Sequence, residues 1–377
     1  MRTSVASLNF RSVDFLFLLI TLVLTAFGLV MVFSASYYSS ISSNSTPFAY
    51  LIRDGMWIML GMILMLAGIC IDYRVYKKIA LVVLAVIVLS LVLVLVIGET
   101  RNGARRWLGV GSLTFMPGEW AKLAIILFIA WFMGERPGRA KSLLLGILPV
   151  LAVTGLVAFL IIKQPNLSTA ITICGIAVAM LLVAGMRWIY VVLAGALGAG
   201  GMMFIFFFMR DTFWYTRMTN FVNPFNDMYG EGYQVAQSLL ALGSGGLTGA
   251  GLGKSVQKSL YLPEPQNDFI LAIIGEELGY IGILLLICVY CLFIWRGVHI
   301  AINAPDQFGM LLASGVVIMV SIQVILNIAV VTASMPATGI NLPFVSYGGN
   351  AIMMFLFAAG VLLNISRQKP EPGGELL

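Results

Sequence analysis

Charge is what this 377-residue sequence has least of. Asp, Glu, Lys and Arg make up 10% of it, against 60% hydrophobic residues and a mean hydropathy of +1.00. A soluble chain of this length cannot hide so much apolar side chain, which excludes the soluble globular classes. Histidine is almost missing: the single one, His299, falls in an expected inner loop, which excludes histidine chemistry on the outer face. Cysteine is scarce, and Cys70, Cys174, Cys288 and Cys291 all fall in apolar runs. Cys288 and Cys291 put two thiols on one helix without further ligands, so packing is their expected role. No soluble basic domain exists, so the net charge of +6 suits anionic lipid headgroups and speaks against nucleic acid. The alternating ten-residue segments of an outer-membrane barrel are also lacking.

What is there is a series of span-length apolar runs, about 20 residues each being enough to cross the bilayer core. They predict an all-α polytopic membrane protein with about ten transmembrane helices, near 13–33, 51–71, 79–97, 119–133, 143–162, 167–185, 188–208, 268–295, 308–332 and 345–366. The first run follows Arg2 and Arg11, and Ser34-Ala35-Ser36 mimics a signal cleavage site; the run is long for a signal peptide, so an uncleaved signal anchor is expected. Short connections such as DYRVYKK and GERPGRAKS are dense in Lys and Arg. The positive-inside rule places them, and both termini, in the cytoplasm. The expected organisation is an N-terminal tail over 1–12, a membrane domain over 13–366 with one long outer loop over 209–267 between spans 7 and 8, and a C-terminal tail over 367–377.

Four polar segments then share the outer face. GETRNGARRWLGVGSLTFMPGEWAKL clusters Arg101, Arg105 and Arg106 around Trp107 and leads to Glu119 and Lys122, whose i, i+3 spacing allows an ion pair at a span mouth. KQPNLSTA breaks a span at Pro165; such backbone is tolerated in a membrane only where protein or a wet cavity surrounds it. The long loop holds EGYQVAQSLLALGSGG, an amphipathic helix that either lies on the membrane surface or packs on the bundle. GSGGLTGAGLGKSVQK follows. A nucleotide-binding loop would need glycine where Thr248 stands, yet backbone N–H groups with Lys254 or Lys258 can still approach a phosphate. SMPATGINLPFVSYGGN is the fourth segment. Together they imply one outward cavity lined by cations and one or two carboxylates.

Acids at the start of the eighth span stand out, because a carboxylate in hydrocarbon costs about 2.5–3.5 kcal/mol. Asp268 at the mouth suits either a general base or a helix N-cap, a role open to Asn267 as well. On a continuous helix Glu276 would lie about 80° from Asp268 and face the same cavity, while Glu277 would point away and pair within the bundle.

Taken together, NGARRWL, MPGEWAK, QPNLSTA, GSGGLTGAGLGKSVQKSLYLPEPQNDFILAIIGEELG and INLPFVSYGGN resemble the SEDS family (shape, elongation, division and sporulation), whose members include FtsW, RodA and SpoVE. The resemblance covers essentially the whole chain, and SVQKSLYLPE is closer to FtsW and SpoVE than to RodA. It implies ten transmembrane helices and an inverting peptidoglycan glycosyltransferase that polymerises lipid II at the outer face of the bacterial cytoplasmic membrane, in division or a related cell-wall process. It further implies a class B penicillin-binding transpeptidase as partner, with other division or cell-wall proteins. The family's catalytic Asp falls on Asp268 and its charged pair on Glu119 and Lys122. Arg101, Arg105, Arg106, Lys254 and Lys258 are then candidates for the pyrophosphate, and Trp107, Asn166, Glu264, Glu276 and Ser346 for the cavity lining. No cofactor is required, although a divalent cation could share the charge stabilisation. Three motifs depart from the family pattern: Gln266-Asn267 replace His-Thr, Asn166 replaces Asp, and Asn350 replaces Ser. A lipid II flippase, which needs polar groups and broken helices near the midplane, and a recruiting scaffold are the alternatives.

Overall fold

The structure, a computed structural model, describes residues 13–368 apart from 44, 102–103, 111–112, 137, 194, 197–199, 201–202, 204–223, 228–229 and 231. Its helices are α1 (Phe15–Ser42), α2 (Ala49–Cys70), α3 (Tyr73–Ile97), α4 (Pro117–Gly134), α5 (Leu148–Ile162), α6 (Leu167–Val183), α7 (Tyr233–Gly245), α8 (Ile270–Ile302), α9 (Gln307–Val331) and α10 (Gly349–Arg367). A π-turn, Leu143–Ile147, runs into α5. Among the described residues, eight segments are long and apolar enough to cross a membrane: α1 to α4, Leu143–Ile162, α8, α9 and α10. The shorter α6 is apolar as well. Most of the seventh expected span, the tail over 1–12, Arg210 and Arg217 lie outside the described residues.

The centre of the bundle is readable from composition. Along α4 every residue from Ala121 to Ala130 is buried, as expected of a helix that is apolar all round. Lys122 is the one charge in that run. The helices α2 and α3 instead present apolar side chains outward, among them Met59, Ile63, Val82 and Leu89, the surface a bilayer would cover. Caps fix the ends of the helices. Asp14 accepts from the Phe17 N–H and pairs with Arg296 at 2.7 Å, tying α1 to α8. Asn364 accepts from the Tyr73 N–H at 2.9 Å and donates to the Ile69 carbonyl at 2.7 Å, which locks the α2–α3 corner onto α10.

The connection from α3 to α4 is not helical. It forms a small antiparallel sheet, β1 (Glu99–Arg101), β2 (Ala104–Val110) and β3 (Leu113–Phe115), in the order β1-β2-β3. It adds a small sheet to the mostly helical fold; β1 and β3 are only three residues long, and ARRWLGV shows no strict alternation.

The α7 helix packs on the bundle. Its Ser238 hydroxyl donates to the Val331 carbonyl of α9 at 2.9 Å, and Val235, Ala236 and Ala241 are buried. The glycine-rich stretch after it threads into α8, which is broken at Gly279, with φ +69° and ψ −169°. That backbone conformation is essentially glycine-only. The break frees backbone groups on both sides, and the loop pairs with two of the carbonyls and two of the N–H groups. Ala250 and Gly251 donate to the carbonyls of Glu276 and Glu277 at 2.9 and 3.0 Å, while Tyr280 and Ile281 donate to the carbonyls of Gly246 and Leu247 at 2.9 and 3.1 Å. Irregular backbone inside a membrane protein is stable only when so paired.

Candidate functional site

Asp268 lies just before α8. The residue flanking that helix is Phe269, and no side chain caps its N-terminus. The capping role that the sequence allowed for Asp268 or Asn267 is therefore not the one they play. Asp268 is half-buried, and among the described residues no hydrogen bond reaches its carboxylate. Burial pushes its pKa from 3.8 up to about 6; Glu264 and Glu119 add to the rise and Arg106 opposes it. A carboxyl poised near neutrality, unpaired and wet on one side, is suited to take a proton.

Three groups from separate elements stand around it. The first is the pair on α4: Lys122 Nζ lies 2.7 Å from Glu119 Oε2, with side-chain exposures of 3% and 14%. Lys122 also donates to Gln323 Oε1 of α9 at 3.3 Å and sits 5.7 Å from the Phe355 ring centroid. The second is Arg106. Adjacent strand residues point to opposite faces, so β2 separates two of the arginines that the sequence clusters. Arg106 turns inward and donates to the carbonyls of Gln164 and Pro165, in the broken mouth before α6. Arg105 is exposed and donates to Thr100 Oγ1 at 3.3 Å. The third is Glu264, at φ +49°, which accepts from Asn267 Nδ2 at 2.7 Å and from Gln266 Nε2 at 3.3 Å.

Other candidates are drawn elsewhere. Lys258 is buried, with Nζ 2.7 Å from Glu277 Oε1 and 3.0 Å from Ser34 Oγ. Its charge is spent inside the bundle, which removes it from the cations able to meet a pyrophosphate. Glu277 pairs there as the sequence suggested. Glu276 does not line a cavity. It is buried and accepts from the Val256 N–H at 2.8 Å, the Gln257 N–H at 3.3 Å and the Ser255 hydroxyl. The helical-wheel reading fails because Asp268 precedes the first helical turn and the 255–257 segment closes over the Glu276 carboxylate. Asn166 is buried and caps α6 by accepting from the Thr169 N–H at 3.3 Å. Ser346 accepts from the Leu342 N–H at 2.8 Å. Trp107 is half-buried opposite Glu99, Lys254 is exposed, and the side chain of Arg101 lies outside the described residues. Among the described residues no group of three or more His, Cys, Asp or Glu is placed to hold a metal ion.

Residues 14–371 match the family model of the FtsW, RodA and SpoVE cell cycle proteins. The chain belongs to that family. It is 42% identical over 359 residues to stage V sporulation protein E of Bacillus subtilis (strain 168), an alignment covering 94% of this chain and 97% of the relative. It is 36% identical over 355 residues to the probable peptidoglycan glycosyltransferase FtsW of Geobacter sp. (strain M18), covering 94% and 96%. Two solved structures share its fold. One is a chain of a peptidoglycan synthase complex that coordinates polymerization and crosslinking, with TM-score 0.77, 25% identity and coverage of 94% and 98%. The other is the rod shape determining protein RodA of Thermus thermophilus, with TM-score 0.70, 27% identity and coverage of 95% and 98%.

In this family member three residues at the site have no charge to advertise them. Asn327 of α9 is fully buried and donates to the carbonyls of Asp268 and Ile340. Gln323, one turn earlier, holds Lys122. Gly339 lies against Asp268 at φ +69°, where a Cβ would sit 3.2 Å from Oδ2. The only available signal was two amides in an apolar span, which polar-residue counting in the membrane does flag. Asn350, noted as a departure from the pattern, fastens the sheet to α10. It donates to the Thr114 carbonyl at 2.8 Å and accepts from the Met116 N–H at 3.1 Å.

Proposed function

We propose that the chain is a peptidoglycan glycosyltransferase that polymerises lipid II, with Asp268 as general base. The observation that carries this reading is a half-buried carboxylate with no described hydrogen bond, its pKa raised to about 6, beside Arg106 and the Glu119–Lys122 pair. Asp268 takes the proton of the acceptor 4-hydroxyl as that oxygen bonds to the donor anomeric carbon. The bond from that carbon to the pyrophosphate oxygen breaks, and undecaprenyl pyrophosphate leaves with inversion. Cations stabilise the charge on the leaving group. Arg106 is the cation whose charge acts on Asp268, while Arg105 and Lys254 are exposed. No resident cofactor is assigned; a divalent cation carried in on the pyrophosphate is compatible with the scheme. The working partner is a class B penicillin-binding transpeptidase, as the kinship with a synthase-complex chain supports, and the Asp268 face is outward in the cytoplasmic membrane.

Asp268→Asn keeps size and polarity but cannot accept the proton. It is expected to abolish glycan polymerisation by the purified complex while insertion and partner binding persist. Near-normal product from that variant would overturn the assignment.

One observation favours a second reading, a lipid II flippase: α8 is a broken helix. At 1.5 Å per residue the break lies about 13 Å along the helix from Ile270, close to mid-membrane. The break, however, is filled by the 246–251 backbone, and the nearby Glu277 is consumed by Lys258. Transport breaks instead leave carbonyls and helix ends free to bind substrate. The polymerase reading is therefore preferred.

A further inference from the structure

We propose that Asn327 is a positioning residue for Asp268, a buried clamp that sets the backbone of the catalytic loop and presses the Gly339 segment against its carboxylate. The inference rests on the base role of Asp268 and extends it to a residue that touches no substrate.

The geometry is complete on one side and open on the other. Both N–H groups of the Asn327 amide are used, one on the Asp268 carbonyl at 2.8 Å and one on the Ile340 carbonyl at 2.7 Å. Two carbonyls can only accept, so the NH₂ end must face them and the amide cannot be flipped. One side chain thereby joins α9 to the loop before α8 and to the loop before α10. Tyr347 adds a second tie, its N–H donating to the Gln266 carbonyl at 2.9 Å. Between these ties Gly339 meets the carboxylate with its α-carbon: a Cβ there would stand 3.2 Å from Oδ2. The wall beside the base is thus backbone, held in place by Asn327.

The same helix face carries the charged pair. Gln323 is four residues before Asn327 and accepts from Lys122. Gln323 Nε2 and Asn327 Oδ1 are both buried without a partner, a donor and an acceptor on neighbouring turns. A face with free polar atoms at both positions connects the Glu119–Lys122 pair to the Asp268 loop and accounts for two amides in an apolar span.

The groups facing Asp268 are Glu264 from its own loop, Arg106 from β2 and Glu119, with Lys122, from α4. Releasing the clamp leaves these charges in place and admits water to the carboxylate. The raised pKa then falls towards the ordinary range, since burial is its largest cause.

The test uses the full chain with its transpeptidase partner, comparing wild type, Asn327→Leu and Gly339→Ala from about pH 5 to about pH 8. For Asn327→Leu, kcat is expected to fall about 100-fold with KM changed only a few-fold, the size of effect that displacing a catalytic group by about 1 Å produces. The acid limb of the pH profile is expected to move to lower pH. Gly339→Ala pushes on Oδ2 from the exposed side and is expected to lower kcat with KM nearly unchanged. Deuterium labelling of the backbone amides around Asp268, read by mass spectrometry, is expected to rise several-fold in Asn327→Leu whether or not polymer forms. Loss of activity that only tracks folded protein, with the limb and the labelling unmoved, would overturn the proposal. If Asn327→Leu does not insert, an unchanged kcat in Gly339→Ala overturns it instead. Polymer from Asp268→Asn would remove the base assignment, yet the labelling would still report whether Asn327 holds that loop.

Discussion

A half-buried carboxylate that no described donor reaches is destabilising where it stands, and Asp268 shows in which pH range. Its folded pKa, about 6, lies above the ordinary 3.8. Between those values the folded state binds more protons than the unfolded one, so stability falls as pH rises from 3.8 to 6 and levels off above. Asp268→Asn removes that cost. The variant is expected to melt a few degrees above wild type at neutral pH and level with it near pH 4, while making no polymer. Equal melting temperatures at neutral pH would show that the carboxylate is well solvated. Activity should also drop below about pH 6 as Asp268 protonates. The Glu119–Lys122 pair behaves in the opposite way: each charge exists to satisfy the other in a buried helix. Truncating either to Ala is expected to cost about 3–5 kcal/mol. The double variant should lose less than the sum, as read from folded yield and activity in a double-mutant cycle.

Elements show where the sequence was legible and where it was not. Long apolar runs gave away the membrane helices, because span length depends only on composition. Glu119 with Lys122, and Asp268 at a helix mouth, were legible because charge in an apolar chain has few explanations. What escaped reading was produced by tertiary contact. Arg105 and Arg106 looked like one cluster until a strand turned them to opposite faces. Lys258 looked like a phosphate ligand until the glycine loop carried it back to Glu277. Glu276 looked cavity-facing until the threaded loop, which the Gly279 break admits, brought the 255–257 segment onto its carboxylate. The threaded loop makes that last point testable. A Cβ on Gly279 would lie 2.4 Å from the Gly249 N and 2.5 Å from the Leu247 carbonyl oxygen. Backbone strain of about 1–3 kcal/mol adds to the clash. Gly279→Ala is therefore expected to abolish stable insertion, whereas Lys254→Ala, on the exposed turn of the same loop, should shift stability by no more than about 0.5 kcal/mol. Detergent-extracted, monodisperse yield of the two variants compares them directly.

At the scale of the whole molecule, everything assigned to chemistry gathers at one end of the bundle. The sheet that brings Arg106, the α4 mouth with Glu119, the Pro165 break, the loop of Asp268 and the Gly339 segment converge there. At the other end Asp14 meets Arg296, and Tyr73 donates to Asp306, contacts that tie helices together. The first turns of α3 at that second end carry Arg74, Lys77 and Lys78, and the α4–α5 connection carries Arg139 and Lys141, all of which the positive-inside rule assigns to the cytoplasm. In the orientation proposed above, a polymerase would draw its substrate from the outer leaflet alone. In vesicles holding the protein and its partner in one known orientation, lipid II supplied to the Asp268 side is expected to become glycan without ATP, because the sugar–pyrophosphate bond supplies the driving force. Lipid II confined to the opposite leaflet should remain unused. Protein-dependent crossing of labelled lipid II from that leaflet, with no polymer from either side, would transfer the assignment to the transporter. The broken α8 would then have to open, and the four hydrogen bonds that fill its gap would be the first contacts to go.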